Sequence, residues 1–370
     1  MHRRRTVRRP ARRTFGARPR DVVANAAAGT LAGATFALFG PGVAAAHEKW
    51  FLDAGAYPTL PGSVLSLPNL AYFVAALVLV AVAAWVWRRR GRRGFVPELS
   101  AFGADPDRRA ALYAVVPAVV GVHLAVPLLV SGVQGSLFVP NAELSGAWPY
   151  LLGVVQIGIA LSLFYGALVR LTAVALAVTW FVGWVAVGIE PMLEASHVLG
   201  FAAFFWLAGR GPFAVDRLAF PRWEPPVRLA RAAVPALRIG TGAGLIVLAF
   251  TEKLANLPLA TAFLQEYPIN VPAALGLPVP DGAFMLTAGA IELFVGLCLV
   301  LNVFPREVIL IAWFPFNLTL AVFDWVELVG HLPIYGVMAT LLVWEARPDE
   351  DRLWSRGVHG GPFPPTRAIR

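Results

Sequence analysis

The chain has 370 residues, 58% of them hydrophobic and only 14% charged, against roughly 25% charged in a soluble domain. Its mean hydropathy is +0.66. A net charge of +9 invites a nucleic-acid reading, but the arginines cluster beside apolar runs, where the positive-inside rule and anionic lipid account for them. Its single cysteine, Cys298, excludes an internal disulfide framework and a C-x-x-C redox pair. The expected class is an all-α, polytopic transmembrane helical bundle whose first partner is the lipid bilayer and not a nucleic acid.

The first twenty residues carry nine arginines and precede a weakly apolar stretch, 22–46, that ends Ala44-Ala45-Ala46. A basic region, an apolar core and a small-residue site are the parts of a signal peptide. An uncleaved first span fits the same residues. Cleavage after Ala46 would make His47 a new N-terminus. The exposed segment 47–67 then leads into an apolar run at 68–87, stopped by RRRGRR at 88–93. Further spans are expected near 110–131, 148–168, 171–189, 196–209, 238–257, 283–303, 307–325 and 331–346. Arginine falls in the connections on one side of this topology and is absent from those on the other. That asymmetry places the N-terminus and the C-terminal tail in the cytoplasm of a cell-membrane protein.

The last eight spans read as two parallel copies of four. VVQIGIALSLFYGALVRL (154–171) parallels AIELFVGLCLVLNVFPRE (290–307), setting Gln156 opposite Glu292 and Arg170 opposite Arg306. Glu194 and His197 precede one last span, as Glu327 and His331 precede the other. His123-Leu124-Ala125 parallels Lys253-Leu254-Ala255. The organisation expected is a basic N-terminus with signal peptide or first span (1–46), an outer segment with second span and linker (47–106), two four-helix repeats (107–220 and 221–347) and a disordered cytoplasmic tail (348–370).

RIGTGAGLIVLAFTEKLANLPLATAFLQEYP (238–268), with Glu252-Lys253-Leu254, the buried acid Glu292 and the Arg306 turn, resembles the DoxX-like integral membrane protein family. LAGRGPFAVDRL (207–218) is similar to that family's cytoplasmic exit. The resemblance spans about 107–347. It implies tandem four-helix bundles and a redox context, distantly that of thiosulfate:quinone oxidoreductase membrane subunits. It also implies quinone as cofactor and a partner redox protein or subunit. His123 departs from the pattern where a lysine is expected, and the cysteine pair of thiol-redox relatives is missing.

Ionisable residues inside spans mark function by default. The candidate metal ligands are His47, Glu48, His123, Glu194, His197, Glu327 and His331, all expected toward the outer face. Imidazole with carboxylate suits copper, iron or zinc. Interfacial His, Glu and Trp also anchor span ends and cap helices. Glu292 and Gln156 are expected deeper and, with Glu252 and Lys253, form the candidate cofactor set, able to hydrogen-bond a quinone head or relay a proton. They could equally glue helices together. The function expected is a quinone-linked membrane oxidoreductase subunit with an outer-face His/Glu metal or substrate site; the alternatives are a non-catalytic scaffold for redox enzymes and a small-solute or metal-ion carrier, the last disfavoured by the parallel repeats.

Overall fold

The computed structural model describes residues 47–360 apart from 321, 324 and 345–347. The arginine-rich N-terminus, the 22–46 stretch and its cleavage-like alanines lie outside the described residues. The longer helices are α1 (Leu67–Arg89), α2 (Pro106–Gln134), α3 (Trp148–Tyr165), α4 (Val169–Ala186) and α5 (His197–Ala208). They continue as α6 (Ala233–Leu248), α7 (Asp281–Leu301), α8 (Pro305–Leu320), α9 (Trp325–Val343) and α10 (Pro348–Gly360). Among the described residues, extended backbone pairs only at one isolated bridge, Ser136 with Glu143. The protein is a polytopic helical bundle.

The helix limits follow from local chemistry. Asp105 accepts from the Arg108 amide at 2.8 Å and Pro106 opens α2, as an N-cap and first-turn proline should. Gly135 ends the same helix at φ +80° and Gly166 ends α3 at φ +67°. That left-handed geometry favours glycine.

Seven of the described helices are long and apolar enough to cross a bilayer. The expected span 196–209 is the 12-residue α5, which at 1.5 Å per residue reaches only about 18 Å. A two-residue turn at Ala195–Ser196 separates it from a short helix, Ile189–Glu194, that makes up part of the depth.

Neighbouring helices run α2, α3, α4, α5, α6, α7, α8, α9 and back to α2, a closed ring with α1 packed outside against α7. Backbone approaches backbone where α5 crosses α6. A Cβ on Gly240 would stand 2.5 Å from the Gly200 Cα. Between membrane helices such close packing replaces the hydrophobic drive that water supplies elsewhere.

The tail expected to be disordered from 348 is a helix as far as Gly360. It is amphipathic and packs on α2. Trp354 is fully buried, donates its indole N–H to the Ala230 carbonyl at 2.8 Å and meets Tyr113 edge-on. One large aromatic with a satisfied polar handle is enough to dock a short, otherwise charged helix.

Candidate functional site

The site is built around a defect in α6. Residues Ala249–Leu254 form a π-helical turn. Such a turn carries an extra residue and loosens the regular ladder, so backbone carbonyls become available to other partners. Thr251 O accepts from Thr59 Oγ1 at 3.3 Å and from Asn256 Nδ2 at 3.2 Å. Leu254 O accepts from Asn69 Nδ2 at 2.9 Å, and Ala255 O accepts from the Leu60 amide at 2.9 Å. The same distortion buries the adjacent side chains Glu252 and Lys253 together, although neighbours on a regular α-helix diverge by about 100°.

Into this end of the bundle drops the segment expected to be exposed. His47, Glu48 and Lys49 are all buried. The segment forms one 3₁₀ turn, Glu48–Trp50, whose flanking aromatics hold it down. Phe51 stacks on Phe323 with ring centres 4.5 Å apart and packs against Phe263 and Tyr267. Trp50 lies flush on Gly330, where a Cβ would come within 2.2 Å of the indole. Phe51 carries enough apolar surface to draw three polar neighbours inside with it.

The charges then pair across the chain. Lys253 Nζ lies 3.0 Å from Glu48 Oε2, 3.0 Å from Glu292 Oε1 and 3.7 Å from Glu252 Oε2. Lys49 Nζ lies 2.7 Å from Glu190 Oε1 and 2.5 Å from Glu194 Oε1. Thr59 Oγ1 donates to Glu190 at 3.0 Å. His47 Nδ1 meets Glu252 Oε2 at 3.2 Å, and its ring is 4.2 Å from Trp50 and 5.1 Å from His331.

Charge does not balance. Glu48, Glu194, Glu252, Glu292 and Glu327 are buried, against buried Lys49 and Lys253. Glu48 Oε1, Glu292 Oε2, both Glu327 oxygens and His331 Nδ1 make no hydrogen bond among the described residues. Burial pushes the Glu48 carboxyl up to about 8, with Lys253 pulling the other way. Burial also lowers His47, which outweighs the pull of Glu327. For Lys49 burial works against the ammonium, but the Glu194 and Glu252 carboxylates win and its pKa rises. In a low dielectric an uncompensated carboxylate takes a proton rather than stay ionised.

A cavity of about 30 Å³ adjoins the cluster, lined by His47, Trp50, Glu194, His197 and Thr241 among others. One water needs about 10–15 Å³, so one or two fit there. A quinone ring does not.

The structure sorts the sequence candidates. His47, Glu48, Glu194, Glu252, Lys253, Glu292, Glu327 and His331 are brought together. Glu327 and His331 share α9, with Oε1 and Nδ1 3.4 Å apart. Glu194 and His197 do not share a helical face, because the helix breaks between them; Glu194 turns to Lys49 while His197 borders the cavity and meets Phe201.

Two expectations are corrected. Gln156 does not join Glu292. Its amide is spent bracing the loop after α2, accepting from the Phe138 amide at 2.9 Å and donating to Ser136 O at 2.8 Å. His123 is not at the outer end. It sits mid-way along α2 against Gly336, with Nδ1 2.8 Å from Val119 O. Lys49, Trp50 and Thr59 belong to the site and were missed. The adjacency of Lys49 to Glu48 was the available signal.

Among the described residues, no three His, Cys, Asp or Glu side chains converge as metal ligands would. No protein-family model matches the chain, and neither a curated protein nor a solved structure is significantly similar to it.

Proposed function

We propose that the chain is a proton-handling membrane subunit of a redox system, the setting that the DoxX-like resemblance implies. The observation that carries the reading is the surplus of buried carboxylates over lysines, with acceptor atoms of Glu48, Glu292 and Glu327 left open and a water-sized cavity lined by His47 and Glu194 of the same cluster. Such a cluster holds protons at neutral pH and passes them through one or two waters. The donor chemistry suits a quinone head, but the cavity is too small for the ring, so a quinone would bind outside it. The electrons then reside on a partner redox protein, since the lone cysteine gives the chain no dithiol of its own.

In this reading the two four-helix groups, α2–α5 and α6–α9, are parallel repeats. The ring order supports it: the last helix of each group packs on the first helix of the other. The arginine-rich end faces the cytoplasm of the cell membrane and the acidic chamber faces outward.

The test is proton exchange in weakly buffered solution. Purified protein is stepped from about pH 6 to about pH 9 with no redox partner present, and the protons it releases are counted with a pH dye. Stoichiometric exchange in the native protein that is lost in Glu292→Gln supports the proposal. No exchange in either protein favours the scaffold, with the cluster purely structural.

A further inference from the structure

The opposite end of the bundle holds a larger cavity that the proton chamber does not use. It measures about 420 Å³ and is lined by Arg90, Arg92, Arg93 and Arg306, with Trp87 and Trp344 buried in its floor. Two acids, Glu98 and Glu307, also line it, so the arginines outnumber them.

The two kinds of arginine differ. Arg306 is committed to backbone, its Nε donating to Leu342 O at 2.9 Å and its Nη1 to Pro97 O at 3.1 Å. Arg90 donates to the carbonyls of Arg93 and Gly94 and lies 4.0 Å over the Phe95 ring. Glu307 Oε1 accepts the Phe95 and Val96 amides at 2.5 and 2.9 Å, which uses its charge to shape the loop. Arg92 and Arg93 are exposed, and their side chains make no hydrogen bond or ion pair among the described residues.

Their placement is set by the end of α1. The Arg92 amide bonds Trp87 O at 2.8 Å and the Gly91 amide bonds Arg88 O at 3.0 Å, with Gly91 and Arg92 both at positive φ. This is the double closure of a Schellman cap. Glycine takes the first left-handed position at no cost; Arg92 takes the second, held there by its backbone bond to Trp87 while its side chain stays exposed.

The cavity also adjoins lipid-facing surface. Along α1, Val74, Leu77, Val78 and Trp85 are exposed, and Phe95 and Phe102 continue the apolar surface beyond its end. Free guanidinium groups at the end of an apolar, lipid-facing helix fit a phosphate with chains attached.

We propose that this cleft binds the phosphate headgroup of an anionic phospholipid, held by Arg92 and Arg93, with the acyl chains lying along α1. Such a lipid would fix the α1–α2 linker, residues 90–105, against α8.

The full chain is reconstituted in phosphatidylcholine bilayers carrying a trace of spin-labelled phosphatidylglycerol, and the motionally restricted fraction is compared with that of spin-labelled phosphatidylcholine. The expected result is a several-fold preference for phosphatidylglycerol that falls to near parity in Arg92→Gln/Arg93→Gln. It persists in Arg222→Gln/Arg228→Gln, which removes equal charge from exposed positions in the α5–α6 connection at the same end of the bundle. An equal fall in both variants, or an unchanged preference in the first, overturns the proposal. So does displacement of the signal by millimolar inorganic phosphate, which assigns the cleft to a free anion.

Discussion

Lys253→Met replaces an ammonium by an apolar group of similar length and leaves its three carboxylate neighbours in place. Glu48 and Glu292 each sit 3.0 Å from the nitrogen and Glu252 sits 3.7 Å away, all three buried. Removing one partner of a buried ion pair costs about 3–5 kcal/mol, because the charge left behind has nothing to answer it. Here one cation answers three acids, so the variant belongs at the upper end of that range at alkaline pH. The carboxylates escape the penalty by taking protons, so the loss shrinks as pH falls. Thermal unfolding in detergent, followed by tryptophan fluorescence at pH 8.5 and pH 6, reads both effects. Lys253→Met/Glu292→Gln, which also removes one acid, should recover part of the stability at pH 8.5. A Lys253→Met protein as stable as the native chain at pH 8.5, or equally destabilised at both pH values, refutes the charge-balance reasoning.

Glu48 gives a pH dependence with a definite sign. Its folded-state pKa of about 8 lies above its ordinary 4.5, so the folded protein holds the proton more tightly. The stabilisation is full below the ordinary value and is lost as pH rises through about 8. Glu48→Gln should flatten that decline across pH 5–8 in unfolding scans. Gly330→Ala places a methyl group inside the Trp50 indole, so the segment 47–51 must shift; an overpacking cost of about 1–3 kcal/mol and a red-shifted tryptophan emission are expected. Gln156→Ala strands the Phe138 amide in a buried loop, costing about 1–3 kcal/mol, yet proton exchange at the chamber should not change. Trp354→Ala should release α10, seen as rapid proteolysis near 345–360 with the rest of the bundle intact.

Much of the membrane plan was legible because apolar length and arginine placement are one-dimensional signals. The run at 68–87 became α1, and Glu252, Lys253 and Glu292 stood out because charge is rare in such runs. What resisted reading was three-dimensional. Aligning Gln156 with Glu292 was sound in sequence, but the loops before α3 and α7 differ, and the loop at 136–138 claims the Gln156 amide. His123 aligned with Lys253, yet α2 runs straight past it whereas α6 opens into a π turn. Glu194 and His197 have helical spacing but no continuous helix beneath them. The segment after Ala46 reads as polar, and only the aromatic nest at Phe51, Phe263, Tyr267 and Phe323 shows why it is drawn inside.

The chamber's capacity to hold protons at neutral pH is the claim on which the rest depends. Infrared titration of the reconstituted chain from pH 6 to 9 measures it directly, through the carbonyl stretch of protonated carboxyl groups. The account predicts a band present at pH 7, disappearing with a midpoint near 8 and reduced in Glu48→Gln. A native protein with no protonated-carboxyl band at pH 6 would contradict it, since every buried glutamate would then be ionised and the surplus of negative charge would be balanced by something other than protons.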